Sequence, residues 1–146
     1  MIYKDKIQQE WEKDSNIDSN RIDEESLNIS QHHAKYLKYL NRVHDKRREK
    51  LVELKNYKRN LYAYYSGTMS TQELSNLGWH PYPHKVLKND LSNHVNSEPY
   101  VVEVQNEIDE LEETIEMIQS ILESISRRTF QIKNYIEWQK FINGVI

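Results

Sequence analysis

One stretch of this 146-residue chain carries an unbroken heptad pattern of apolar residues. We call these residues the heptad seam, and they alternate at spacings of three and four: Val101, Val104, Ile108, Leu111, Ile115, Ile118, Leu122 and Ile125. A repeat of this kind places its members along one side of an α-helix. Pro99 suits the first turn of that helix, and the apolar pattern continues to about Phe141. The pattern predicts one helix of about 60 Å, at 1.5 Å per residue.

The remainder of the chain predicts two further helices and a connector. Residues 3–13 form a short amphipathic helix, and a second helix begins after Ser19 and reaches about Tyr65, where Gly67 ends it. Residues 70–73 have a helix-capping pattern, and no strand pattern competes. We therefore expect an all-α fold of elongated helices in a single domain, residues 1–146. Its segments are N-terminal helices (1–66), a connector (67–97) and a long C-terminal heptad helix (98–146).

The heptad seam needs a partner helix, and two partners are open. The seam can pair with the second helix of the same chain, or it can drive self-assembly into a ring-like homo-oligomer. Self-assembly is favoured because charged residues interrupt the apolar stripe of the second helix. The candidate oligomerisation residues follow from this interpretation: Val104, Ile108, Leu111, Ile115, Ile118, Leu122, Ile125, Phe130, Ile132, Ile136 and Trp138.

The net charge of −3 conceals two segments of opposite charge. Residues 35–59 contain ten Lys and Arg against three acidic residues, a local charge of +7, whereas residues 103–123 contain eight acidic and no basic residues. Cations interleaved with aromatic rings are typical of sequence-tolerant binding to single-stranded nucleic acid. The candidate DNA-binding residues are Arg47, Arg48, Lys55, Lys58, Arg59, Tyr64 and Tyr65. A solvated basic face with ordinary packing tyrosines is the alternative.

Several classes of protein are disfavoured by what the sequence lacks. It has no cysteine, no phosphate-cradling glycine loop and no nucleophile motif, so we expect neither catalysis nor a cofactor. His80 and His84 are four residues apart, but Pro81 and Pro83 prevent the helix that would aim both rings at one metal ion. No apolar run is long enough to span a membrane, and the N-terminus lacks a signal-peptide core.

Three stretches, in order along the chain, resemble the UvsY recombination mediators of T-even-type bacteriophages. Residues 7–14 with the Ile-Asp-Ser sequence at 17–19 are similar to the leading helix of that family and the turn after it. A basic stretch runs into Tyr-Tyr-Ser-Gly at residues 64–67, as in the family. Residues 128–133 and 137–141 resemble its final helix in order and spacing.

The resemblance implies an accessory protein of phage recombination, repair and recombination-dependent replication, acting in the cytoplasm of the host bacterium. Members of the family form hexameric or heptameric rings and bind single-stranded DNA. They also contact the phage RecA-like recombinase and the phage single-strand-binding protein, and promote exchange of the second for the first. In the family, basic positions just before Tyr-Tyr-Ser-Gly contact DNA; here Arg59 takes one such position and Lys58 is adjacent to it, whereas the two family positions are separated by one residue. A coiled-coil scaffold without DNA binding is the alternative function.

Overall fold

The computed structural model describes residues 2–144 and is all-α over that range, with no strand. Its five helices are α1 (Ile2–Asp14), α2 (Ile22–Ser66), α3 (Thr71–Leu77), α4 (Leu91–Asn96) and α5 (Pro99–Ile142). Single 3₁₀ turns at Ser19–Arg21 and Lys88–Asp90 precede α2 and α4. The two long helices and α1 confirm the fold class that the sequence predicts, and their bounds lie within a few residues of the predicted ones.

The chain forms two compact units, and each contains part of both long helices. The first unit consists of the residues up to Asp45 and those from Leu111 onward, and the second consists of Lys46–Glu110. This division cuts across the three sequence segments, because α2 and α5 each contribute to two separate cores.

The core of the first unit is built from α1, α2 and α5. Ile7 of α1 and Tyr36 and Val43 of α2 are buried together with five residues of α5, namely Leu111, Ile115, Ile118, Ile121 and Ile125. Trp11, Tyr39 and Leu40 pack against this group, and the Trp11 ring meets Tyr36 edge-on at 5.5 Å. The helical spacing of these residues is therefore satisfied by contacts within one chain.

The heptad seam thus packs against α1, α2 and α4 of the same chain, which corrects the preference for pairing of the seam between subunits. The seam lies inside the two cores: Val101, Val104, Ile108, Leu111, Ile115, Ile118 and Ile125 are buried, and Leu122 is half-buried. One charge on this side of α2, Lys50, is neutralised, since its ammonium lies 2.7 Å from the Glu107 carboxylate on α5. Of the other candidate oligomerisation residues, Ile132 is buried, while Phe130, Ile136 and Trp138 are exposed.

The second unit joins α2 and α5 to the connector. Leu54 and Leu61 of α2, Val95 of α4 and three residues of α5 (Val101, Val104 and Ile108) form its buried core. Ser70 caps α3 in a capping box with Glu73, as residues 70–73 predict. Gly67 adopts a φ of +76°, a left-handed conformation that favours glycine, and α2 ends there.

The buried Arg128 of α5 contacts residues of both α1 and α2 in the first unit. The Arg128 guanidinium contacts the His32 Nδ1 atom at 3.1 Å, donates to the Asp14 carbonyl oxygen, and lies over the Trp11 ring at 5.2 Å. Asp14 in turn accepts hydrogen bonds from Lys35 at 2.7 Å and the Tyr36 hydroxyl at 2.9 Å. Burial opposes the charged form of Asp14, but the hydrogen bonds from Lys35 and Tyr36 outweigh it and hold the pKa of this carboxyl below its usual value.

We expect Arg128→Met to lower the free energy of unfolding by about 2 kcal/mol, because it leaves acceptors in a buried site without their donor. Urea denaturation measures the change. Arg127→Met is the matched control, since the Arg127 side chain is 70% exposed and its contact with Glu123 is long, at 3.5 Å. Equal losses in the two variants would contradict the structural role of Arg128.

Candidate nucleic-acid interface

The candidate basic residues lie on one side of α2. At 100° per residue, Arg47, Arg48, Lys55, Lys58 and Arg59 fall within about 120° of the helix circumference. We call these five residues the basic flank. The same rotation puts the carboxylates of α2 within the second unit, Glu49 and Glu53, outside that arc. Arg48, Lys55 and Arg59 are exposed, and Arg47 and Lys58 are half-buried. The fold therefore places the five basic candidates on one side of α2.

The basic residues of the second unit differ in their partners. Lys46 pairs with Glu49 at 3.5 Å, and Lys50 pairs with Glu53 at 3.4 Å and with Glu107 on α5. The hydrogen bond to Glu107 raises the pKa of Lys50, so this ammonium is held in a structural pair. By contrast, Lys55, Lys58 and Arg59 form no ion pair among residues 2–144. Their charge is available to an external anion.

The two candidate tyrosines hold the connector against the end of α2. The Tyr64 hydroxyl donates a 2.7 Å hydrogen bond to the carbonyl oxygen of His80, and its ring meets Trp79 at 5.1 Å. Tyr65 meets Tyr82 at 5.0 Å and His94 at 5.6 Å, both edge-on. Both tyrosines are half-buried, so they are packing residues as well as candidate base-stacking residues.

A cavity of about 420 Å³ opens where these tyrosines meet the connector. We call it the connector pocket, and its lining comprises Tyr64, Tyr65, Ser66, Gly67, Met69, Leu74, Pro81, Tyr82, Pro83, His84, Lys85 and Val86. Sequence reasoning identified two of these residues and missed the rest of the site. The run Pro81-Tyr82-Pro83 signals irregular backbone, but no local pattern shows that it folds back onto α2.

Residues 2–144 contain neither a metal-binding cluster nor a membrane span. No group of three or more His, Asp or Glu side chains among residues 2–144 is arranged to hold a metal ion. Within the same residues, no helix is both long enough and apolar enough to cross a lipid bilayer.

A helical chain with a cationic flank beside clustered aromatic rings has the features of a single-strand nucleic-acid-binding protein. The chain belongs to the UvsY family, described as recombination, repair and ssDNA binding protein, whose model matches residues 10–145. Comparison with curated protein sequences gives no match.

The fold is that of solved UvsY structures. The chain superimposes on the bacteriophage T4 recombination mediator protein UvsY in lattice type II with a TM-score of 0.81 and 19% identity, over 95% of this chain and 96% of that one. The lattice type IV structure gives a TM-score of 0.77 at 19% identity, covering 97% of this chain and 98% of the other. At this identity the likeness establishes the fold.

Proposed function

We propose that this protein is a recombination mediator that binds single-stranded DNA and promotes loading of a phage RecA-like recombinase onto strands covered by the phage single-strand-binding protein. The observation that carries the proposal is the basic flank, in which Lys55, Lys58 and Arg59 have no ion-pair partner among the described residues. Phosphate contacts of this kind carry no sequence information. The binding is therefore independent of base sequence, as a mediator acting anywhere on a genome requires.

Assembly into a ring of six or seven subunits would repeat the basic flank around the ring. An apolar surface that α5 leaves exposed supports such an assembly, and we call it the C-terminal patch: Phe130, Trp138, Phe141 and Ile142. Several weak contacts on one strand then add through multivalency, so that a modest affinity per subunit becomes strong binding. A strand bent around the ring would shed competing single-strand-binding protein and be presented to the recombinase. The protein would act in the cytoplasm of the host bacterium.

The test of DNA binding replaces Lys58 and Arg59 together by Ala. Each lost phosphate contact reduces the slope of log affinity against log salt by about 0.7 on single strands, so the slope should flatten by about 1.4 per subunit. At 0.1 M salt the same relation gives roughly a 25-fold loss of affinity. Fluorescence anisotropy with labelled oligo-dT over a series of salt concentrations measures both quantities.

A matched control removes the same charge outside the basic flank. Lys13 and Lys38 are exposed residues of the first unit, and the double change of both to Ala should leave affinity and slope as in the parent protein. If both double variants behave alike, the effect is one of net charge and the basic flank is not the binding surface. If the parent protein does not retain oligo-dT at low salt, the chain is a structural scaffold instead.

A further inference from the structure

The connector pocket has the dimensions and walls of a small-molecule site. Its volume of about 420 Å³ falls within the range of ligand pockets, roughly 300–1,000 Å³. The rings of Tyr64, Tyr65 and Tyr82 contact one another at 5.0–5.7 Å and form its aromatic side. The residues at its rim, Pro81, Pro83, His84 and Lys85, are exposed, so the cavity is accessible from solvent.

The charge of the lining selects the kind of ligand. None of the residues lining the cavity is acidic, and Lys85 contributes a cation. The Tyr65 hydroxyl is neutral at neutral pH and does not repel an anion, and burial raises its pKa further above the ordinary value. Ser66, Tyr82 and His84 add polar groups at the wall. An aromatic group that carries a negative charge satisfies all of these features together.

The pocket also lies in line with the basic flank. Tyr65 follows Lys58 by seven residues, which is two helical turns, so both lie on the same side of α2 at a separation of about 10 Å along the axis. A strand whose phosphates contact Lys58 and Arg59 needs to extend only a short distance to reach the cavity. The basic flank and the connector pocket therefore lie next to each other within the second unit.

We infer that the connector pocket is a nucleotide subsite: it takes one unpaired base of the bound strand against its aromatic side, at the Tyr82 ring, with a flanking phosphate at Lys85. This inference rests on the proposed DNA-binding function and extends it from the backbone to the base. The connector is then part of the DNA-binding surface. Base stacking on aromatic side chains is tolerant of sequence, because every base presents a π-face. The subsite therefore adds affinity without imposing a recognition sequence.

The test compares an oligo-dT strand with an abasic strand of the same length, which has the same phosphates and no bases. The parent protein should bind oligo-dT about 10-fold more tightly than the abasic strand, from stacking of one base per subunit. Tyr82→Leu should reduce this preference to about twofold or less and leave the affinity for the abasic strand unchanged. Circular dichroism establishes that the variant is folded.

Two further measurements keep the inference independent of that variant. Lys85→Gln should weaken binding of both strands, whereas Lys88→Gln, which removes the same charge from an exposed connector lysine outside the lining, should not. A strand carrying 5-iododeoxyuridine should photo-crosslink to a peptide containing residues 81–86, located by mass spectrometry.

The outcomes separate this inference from the proposed function. Equal affinity of the parent protein for the two strands overturns the subsite while DNA binding by the basic flank stands. Crosslinks confined to other parts of the chain also overturn it. Failure of both strands to bind removes the subsite and the proposed function together.

Discussion

Replacing Ile118 by Asp should unfold the first unit. The Ile118 side chain is fully buried in the core made by α1, α2 and α5. The variant loses the burial of an isoleucine and places a carboxylate in an apolar site, at a cost of several kcal/mol. Domains of this kind are stable by only about 5–15 kcal/mol. We expect loss of most helical circular dichroism at 25 °C, or a midpoint in urea far below that of the parent protein.

The adjacent residue supplies the control for this change. Gln119 is exposed on the same turn of α5, and Gln119→Asp should leave the free energy of unfolding within about 0.5 kcal/mol of the parent value. The experiment also separates the two interpretations of the heptad seam. If Ile118→Asp remains folded and only the mass in solution falls, the seam is an interface between subunits and the intramolecular core described above is wrong.

The helices were predictable because their signals are local. The alternation of three and four residues over the heptad seam predicts α5, which runs from Pro99 to Ile142. The end of α2 at Ser66 follows from Gly67, whose left-handed backbone stops the helix. In each case the residues that carry the signal are neighbours on one helix, and no long-range contact is needed to interpret them.

The partner of the heptad seam was not predictable in the same way. The stripe on α2 is imperfect when read alone, but Ile7 of α1 and Val95 of α4 complete the two cores from distant parts of the sequence. Lys50, a charge within that stripe, meets Glu107 on another helix. How well the heptad seam fits its partners depends on which helices pack against it. The apolar pattern of α2 alone therefore underestimates that fit.

The candidate site also has a part that is predictable from local sequence and a part that depends on tertiary contacts. The local excess of Lys and Arg in residues 35–59 identifies the basic stretch of α2. The helical repeat then places the five residues of the basic flank on one side of that helix. Whether each charge is available depends on tertiary neighbours: Lys50 is paired, whereas Lys55 and Arg59 are not paired among the described residues. The connector pocket depends wholly on such contacts, since the Tyr64 hydroxyl reaches the His80 carbonyl 16 residues away. The periodicity of the sequence does not predict that contact.

The C-terminal part of α5 has a second apolar face, opposite to its buried one. Ile125, Arg128 and Ile132 face the core of the first unit, whereas Phe130 and Phe141 lie about 180° away around the helix. Phe130 is 67% exposed, Trp138 58% and Phe141 69%, and the last two rings stack at 5.8 Å. Exposed aromatic residues grouped on one side of a helix are typical of a protein–protein interface. This is the surface on which the proposed ring assembly depends.

Replacing Trp138 and Phe141 together by Asp should therefore reduce the proposed ring to the 17.6 kDa monomer, while the helical content remains that of the parent protein. Burial of each ring against a neighbour contributes about 1.5–3 kcal/mol per subunit, and the variant also places two charges in the contact. Native mass spectrometry or sedimentation at micromolar concentration measures the result. Leu27→Asp with Val52→Asp is the control, because both residues are exposed apolar positions on α2, outside the C-terminal patch. A parent protein that is already monomeric, or a Trp138/Phe141 variant that keeps the parent mass, would rule out assembly through this surface.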